Sequence, residues 1–260
     1  VTDLELLTRA AEAAGEIARG YFGGRYDVVE KAGGAGPVSA ADLAVNAALQ
    51  EILRDARPDY GWLSEESEDD PERLTRTRCF IVDPIDGTRS FIANKKTWGH
   101  ALAVVEDGRV TDAVAYFPIR EELFAATRGA GATLNGAPIA VSAATEPDGA
   151  TILAAKPNLL PEHWTGPVPA FDMTLRPSLA YRLCAVAQGR FDASFTFRPT
   201  WEWDVAAGAL IVEEAGGAAS DRAGRALVFN RPSPLLDGLV VAPRLLHSRL
   251  HDRLAYSAGP

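Results

Sequence analysis

Apolar residues at the start of the chain recur at three- and four-residue spacing. Leu4, Leu7, Ala11, Ala14, Ala18 and Phe22 fall on one face of an amphipathic helix, and Thr2 with Glu5 makes a capping-box pair at its start. A glycine-rich stretch follows, Lys31-Ala-Gly-Gly-Ala-Gly-Pro37, whose backbone is intrinsically mobile. Ser39 with Asp42 then caps a second helix that runs to about Ala56 and is stopped by Pro58. Cys79 to Val82 is a continuous apolar run of strand length that delivers Asp83 at its C-terminal end. Asp107-Gly108 is a hairpin signal between two strands, Glu122 to Thr127 reads as another strand, and Asn135-Gly136 as a further turn. Helices followed by an antiparallel meander are therefore expected in this half.

Beyond residue 145 the pattern alternates. Thr151 to Ala155 reads as a strand, Pro157 to Pro169 as a loop, and Ser178 to Gln188 as a helix with Leu179, Leu183 and Val186 inward and Gly189 as its stop. Phe191 to Phe197 is a strand. Val205 to Ala215 is a helix with Asp204 at its N-cap, followed by strand Leu239 to Ala242 and helix Arg244 to Leu254. Strand and helix in alternation predict α/β structure. The expected class is thus α/β overall: an α+β N-terminal subdomain over 1–145 and an α/β C-terminal subdomain over 146–260.

Composition narrows the function. At 260 residues with 47% hydrophobic and 23% charged residues, the chain can bury a core without disulfides or structural metal, and disorder, collagen and coiled coil are excluded as its main architecture. A net charge of −9 argues against a polyanion-binding surface, so no nucleic-acid partner is expected. No apolar run approaches the roughly 18 residues of a membrane span, so no membrane partner is expected either. The acidic, helical N-terminus does not read as a secretory leader. Cys79 and Cys184 lie in apolar surroundings, which fits a reduced, cytoplasmic setting.

Carboxylates carry the candidate chemistry, in three clusters: Glu65-Glu66, Asp83-Pro84-Ile85-Asp86-Gly87-Thr88, and Trp201-Glu202-Trp203-Asp204. In the second, Pro84 restrains both its own backbone and that of Asp83, so Asp83 and Asp86 can be held on one side of a tight turn. Paired hard oxygens suit Mg²⁺. Gly87 and Thr88 open a helix whose N–H groups can face an anion, while the threonine hydroxyl can orient a water. Each cluster taken alone has a plainer reading. Asp, Pro and Gly are turn residues; Glu65 and Glu66 run into Glu68, Asp69 and Asp70 as a solvated acidic face would; and Asp204 serves as a helix cap.

In order and spacing, these clusters, with Phe91 after the second and Val205 to Gly208 and Glu214 to Gly217 after the third, resemble the inositol monophosphatase superfamily over nearly the whole chain. Haloacid-dehalogenase phosphatases, by contrast, place their carboxylates two residues apart rather than three. The resemblance implies a layered αβαβα sandwich and a Mg²⁺-dependent phosphomonoesterase using two or three ions, lithium-sensitive, homodimeric and acting on a small phosphorylated metabolite. It implies metal ligation by Glu65, Asp83, Asp86, Asp204 and the Ile85 carbonyl. Gly87 and Thr88 contact phosphate, and Glu65, Thr88 and Asp86 serve catalysis. Asp42 and Glu66 stand near a third metal, and Lys31 belongs to a mobile gate. The four histidines, His100, His163, His247 and His251, lie outside the clusters and read as structural or surface residues.

Substrate choice is read from the third cluster. Inositol-selective members carry a glutamate where this chain has Phe197. The run Pro199 to Asp204 is similar to that of 3'(2'),5'-bisphosphate nucleotidases, with Arg198 in place of their glycine. Pro177-Ser-Leu-Ala180 lacks the lysine those nucleotidases place there, so Ser178, Arg182 and Arg198 become the candidates for binding substrate and a second phosphate. Phe197 and Trp201 are either an aromatic surface for a base or core residues. Inositol-1-monophosphatase or a related sugar phosphatase is the alternative activity. A regulatory partner of RNA or transcription on the same fold is the alternative of another class, and the intact acid set favours the enzyme.

Overall fold

The computed structural model describes residues 1–30 and 37–255. The glycine stretch with Lys31 lies outside the described residues. In chain order the elements are α1 (Asp3–Tyr21), β1 (Val28–Glu30), β2 (Pro37–Ser39), α2 (Ala40–Ala56), β3 (Gly61–Ser64), β4 (Arg78–Asp86), α3 (Thr88–Ile92), β5 (Gly99–Glu106), β6 (Arg109–Phe117), β7 (Glu122–Thr127), β8 (Ala132–Leu134) and β9 (Ala137–Pro138). There follow β10 (Thr151–Leu153), β11 (Asp172–Thr174), α4 (Leu179–Ala187), β12 (Ala193–Thr196), β13 (Thr200–Trp201), α5 (Glu202–Glu214), β14 (Gly217–Ser220), β15 (Leu235–Leu236), β16 (Leu239–Pro243) and α6 (Arg244–His251).

Two sheets and three helical layers stack on one another. β3 to β9 form a seven-stranded sheet in sequence order, antiparallel apart from the parallel β3–β4 pair. The second sheet has five strands in the order β11-β10-β12-β16-β14. Strand alternation assigns the layers. Phe80 and Val82 of β4, with Leu102 and Val104 of β5, pack against α1 and α2. Cys79 and Ile81, with Ala101 and Ala103, face the other way and join a core shared with α4, α5 and the inner residues Leu239 and Val241 of β16. Val240 and Ala242 point outward with Phe195 and pack on Leu246 and Leu250 of α6. The order α1/α2, sheet, α4/α5, sheet, α6 is the expected αβαβα sandwich. Among the described residues no helix is long and apolar enough to cross a membrane.

Both expected capping boxes are present, Thr2 with Glu5 and Ser39 with Asp42. Both hairpin turns adopt the positive φ that their residues tolerate, at Asp107-Gly108 and Asn135-Gly136. Two expectations need correction. β4 does not end at Asp83: it continues through Pro84 and Ile85, and Asp86 still pairs with Gly99 across a bulge between Asp83 and Asp86. The motif is a bulged strand end rather than a tight turn. α5 starts earlier than Val205, its N-cap is Trp201, and Asp204 sits inside the first turn, so Asp204 is not the cap.

Candidate active site

β3 and β4 run parallel in register, Leu63 beside Ile81 and Ser64 beside Val82. The Glu65 amide extends the ladder by donating to the Val82 carbonyl at 3.3 Å. One further step places Glu65 beside Asp83. Asp83 follows Cys79 and Ile81 at period two, so it points into the layer that holds α5, whose first turn carries Asp204. Carboxylate oxygens of Glu65, Asp83 and Asp204 consequently lie within 4.8 Å of one another.

Asp83 is fully buried, and neither of its oxygens has a hydrogen-bond partner among the described residues. Its pKa stands well above the usual carboxylate range, chiefly through burial and then through Glu65, Asp86 and Asp204. Burial, Asp86 and Glu65 raise Asp204 in the same way, against the pull of Arg198 and Arg182. A buried carboxylate with no donor is costly unless a cation completes it. The donors are all hard oxygens and are grouped at a spacing close to the span of two oxygens on one Mg²⁺, about 4.2 Å at bond lengths of about 2.1 Å. The residues therefore fit Mg²⁺.

Asp86 is held differently. Its Oδ2 accepts from the Ser178 hydroxyl at 2.6 Å and from the Ala180 amide at 2.6 Å, and its Oδ1 accepts from the Leu179 amide at 3.3 Å. The carboxylate caps α4, where the free amides of a helix start favour negative charge. Its pKa is raised by burial, and these bonds oppose the rise. Ser178 is fully buried between Asp86 and the Tyr181 amide, which its hydroxyl caps at 3.0 Å, so it positions Asp86 and does not line the cavity. Arg182 is also buried, behind the cavity wall near Asp86 and Asp204, and burial lowers its pKa.

Gly87 follows with φ 95°, a left-handed conformation that turns the chain from β4 into α3. A Cβ there would stand 3.0 Å from the Thr97 carbonyl oxygen and 3.3 Å from the Ser178 Cβ. The Thr88 hydroxyl lies 3.0 Å from Asp42 Oδ1 and 3.2 Å from the Ile85 carbonyl. Asp42 is buried, and its other oxygen accepts from the amide and hydroxyl of Ser39 at 2.8 and 2.5 Å. Burial raises its pKa against those bonds. Glu66 does not line the cavity; the turn that carries it is pinned by Asn46 Nδ2, which donates to the Glu66 carbonyl and to Ser67 Oγ.

A cavity of about 580 Å³ opens over these groups. Glu65, Asp83, Ile85, Asp86, Gly87 and Thr88 form its floor, and Asp204, Trp201, Trp203 and Arg198 form one wall. The indoles of Trp201 and Trp203 stack at 4.8 Å with 9° between planes, and Trp201 remains 43% exposed. Phe197 is elsewhere: it is buried and stacked on Phe195 at 5.3 Å, against His163 and Trp164. Of the two aromatics considered for a base surface, Trp201 reaches the cavity and Phe197 is core.

Two further residues shape this floor: His100, read from the sequence as structural or surface and found structural, and Asn46, which the sequence did not single out. His100 is fully buried and its Nδ1–H donates to the Pro84 carbonyl, fixing the bulge between the two aspartates. Asn46 bonds the Ser64 hydroxyl at 2.7 Å below Glu65. Neither position carries a local motif. Their only sequence signal is a polar residue inside an otherwise apolar face.

The family model described as the inositol monophosphatase family matches residues 2–258. A histidinol-phosphatase from Chlorobaculum parvum is 34% identical over 233 residues, covering 88% of this chain and 89% of that protein. Nus factor SuhB from Escherichia coli K12 is 36% identical over 234 residues, 85% of each chain. An inositol-1-monophosphatase from Rhizobium meliloti is 35% identical over 232 residues, 85% of this chain and 86% of that one. Among solved structures, the suppressor protein SuhB from Bartonella henselae superimposes with a TM-score of 0.81 at 28% identity, covering 95% of this chain and 96% of the other. The Thermotoga maritima inositol monophosphatase gives 0.81 at 26% identity, covering 96% and 95%. Matched along its length, and with the fold in common, this chain belongs to the inositol monophosphatase family, whose members are metal-dependent, and is a phosphomonoesterase acting on a small phosphorylated substrate.

Proposed function

We propose that this phosphomonoesterase uses Glu65, Asp83, Asp86, Asp204 and the Ile85 carbonyl to hold Mg²⁺, and that its preferred ester is a 3'(2'),5'-bisphosphate nucleotide. Bound Mg²⁺ supplies positive charge against the phosphate and makes a water more acidic. Glu65 accepts a proton from the attacking water. Thr88, its hydroxyl proton directed to Asp42, offers that water a lone pair and so orients it. Gly87 and Thr88 receive the phosphate where the left-handed turn exposes backbone. Asp86 keeps its orientation because α4 donates to it, which leaves Oδ1 as its freer oxygen. Asp42, close enough to Asp83 and Glu65 to be felt electrostatically, is the acid a third ion would stand nearest, while Glu66 lies outside the cavity lining.

One observation carries the substrate preference: an exposed tryptophan stacked on a second one beside Asp204, with Arg198 in the same wall. A flat aromatic platform stacks on a base face to face, and its ring faces give the hydroxyls of a polyol no conventional hydrogen-bond partner. An exposed guanidinium favours a second phosphate over the ammonium of histidinol phosphate. Buried Arg182 adds positive potential behind it.

The test is phosphate release from adenosine 3',5'-bisphosphate, histidinol phosphate and inositol 1-phosphate under Mg²⁺. The bisphosphate is expected to give the highest kcat/KM. Arg198→Ala is expected to lower that value by about 10-fold or more while changing a ring-bearing monophosphate less than about threefold, as befits a lost charge-assisted bond. A preference for inositol 1-phosphate, or equal losses on both kinds of ester, refutes the preference.

A further inference from the structure

Glu202 stands beside Asp204 in the third acidic cluster, yet its carboxylate plays no part in the cavity. It is fully buried, and its two oxygens accept the backbone amides of Asn230 at 2.6 Å and Arg231 at 3.1 Å. The Glu202 amide donates in turn to the Pro234 carbonyl at 3.0 Å. These bonds replace a conventional cap, since Trp201 makes no side-chain capping bond at the start of α5. The first turn of α5, and Asp204 with it, is thereby tied to the 230–236 segment.

That segment is tied in turn to the loop after Glu65. Asn230 holds φ 56°, and its Oδ1 accepts from Arg73 Nη1 at 2.6 Å. Arg73 Nη2 donates to the Arg231 carbonyl at 2.9 Å, and the same guanidinium binds Asp69 through Nε at 2.6 Å and Nη2 at 3.0 Å. The Arg73 side chain is 1% exposed. The Arg73 backbone packs closely on β3: a Cβ at Gly61 would come within 2.8 Å of the Arg73 Cβ and 2.9 Å of its Cα. β3 delivers Glu65, and Asp69 lies in the loop just beyond it. A continuous hydrogen-bonded path therefore runs from the Glu65 loop through Arg73 and Asn230 to Glu202 and the first turn of α5, with Arg73 and Glu202 buried at its centre and end.

We propose that Glu202, Asn230 and Arg73 are positioning residues, a hydrogen-bonded brace that sets the distance between Asp204 and Glu65 and so pre-forms the acid group for its metal. This rests on the reading of Glu65 and Asp204 as metal ligands. Carboxylates grouped within 4.8 Å push their two elements apart to the extent that they are ionised when no cation is bound. The brace opposes that separation, so metal binding does not have to reorder the loop. Partners that orient ligands in this way typically change metal affinity by about 10- to 100-fold when removed.

The test is direct binding of Mn²⁺, another oxygen-preferring ion, by titration calorimetry on the full chain, with the Mg²⁺-induced shift in Tm as a second readout. Asn230→Gly keeps the left-handed backbone and removes the side-chain bonds between residue 230 and Arg73, leaving the Arg73 bond to the Arg231 carbonyl. It is expected to weaken Mn²⁺ binding at least 10-fold and shrink the Mg²⁺ shift, with kcat at saturating Mg²⁺ within about threefold of wild type. Asn230→Asp retains the acceptor for Arg73 and tolerates φ above zero, and is expected to bind within about twofold of wild type. Glu202→Gln, which keeps the size but turns a donor toward one of the two amides, is the second variant should Asn230→Gly fail to fold; it is expected to weaken Mn²⁺ binding likewise. A lower Tm in chelator with unchanged Mn²⁺ affinity makes the network merely structural and overturns the brace, as does an Asp variant no better than the Gly variant. Wild-type protein that binds no Mn²⁺ overturns the ligand assignment itself, and the brace with it.

Discussion

Asp204→Asn separates a residue kept for chemistry from one kept for folding. Two unit charges 4.8 Å apart, the spacing within the Glu65, Asp83 and Asp204 group, repel by about 3.5 kcal/mol at an effective dielectric of about 20. The metal-free protein does not bear that cost in full, because Asp83 and Asp204 take up protons instead, which is what their raised pKa values express. Replacing one carboxylate by an amide removes the charge and brings an N–H donor toward Asp83, whose oxygens have none among the described residues. A net gain of about 1–3 kcal/mol is expected in chelator, or about 2–6 °C in Tm for a chain of this size. Mg²⁺ reverses the order. At a hundredfold excess over Kd a metal adds about 2.7 kcal/mol to a protein that binds it, and the variant forgoes most of that along with at least about 100-fold in kcat/KM. The assays are thermal unfolding in chelator and in Mg²⁺, and phosphate release. A variant destabilised in chelator by more than about 1 kcal/mol, or one that keeps both the Mg²⁺ shift and turnover, refutes the reasoning. The helix start does not interfere, since the N-cap is Trp201.

Three other outcomes are expected. Gly87→Ala imposes φ 95° on a residue with a Cβ and puts that Cβ 3.0 Å from the Thr97 carbonyl oxygen; it should cost about 1–3 kcal/mol and most of the activity, and an unchanged Tm would show the turn to be unstrained. Burial pulls the His100 and His247 imidazoles down to about 4 from 6.5, so the unfolded chain binds more protons between those values. Stability is fully present above about pH 6.5 and is lost toward pH 4, on the order of 3 kcal/mol for fully buried His100 at about 1.4 kcal/mol per pH unit. The raised carboxylates act in the opposite sense over this range, so the readout is the Tm of wild type minus that of His247→Gln; this difference should shrink from pH 7 to 4.5, and a difference that does not change with pH contradicts the burial. Lithium at millimolar concentration should inhibit phosphate release by entering a Mg²⁺ position; activity indifferent to lithium yet abolished by a chelator would tell against that.

Much of this architecture was legible in the sequence because it is local. The helix faces, the capping boxes at Thr2 and Ser39 and the turns at Asp107 and Asn135 follow from spacing and turn chemistry within a few residues. What failed was non-local or mixed in signal. Asp-Pro-Ile-Asp-Gly is written in turn residues, yet pairing with β5 keeps it extended with a bulge. β3 is a four-residue strand with a glycine in it, too short for periodicity to show. Glu202 and Asp204 look alike in sequence. Only the fold shows that one faces the cavity and the other faces the 230–236 segment, because that segment is contributed by residues far along the chain. Phe197 likewise looked available, and the outer core of the second sheet claims it.

The acids at the cavity floor differ in what holds them, and that difference orders their roles. Asp86 takes bonds from Ser178, Leu179 and Ala180, and Asp42 from Ser39 and Thr88. Each is held in orientation by donors of the fold, although burial still raises its pKa. Asp83 has no donor at either oxygen among the described residues and lies deepest. A protein keeps such an orphan only where something other than folding requires it, since an apolar residue of similar size would cost less there. The β4 bulge makes both states available from one strand. Up to Asp83 the strand's period aims the side chain at α5, and after the bulge Asp86 is aimed at α4. A regular strand would put Asp83 and Asp86, three residues apart, on opposite faces of the sheet. The irregularity at Pro84, held by His100, is what brings both carboxylates to the same helical layer, one held by protein donors and one with none among the described residues.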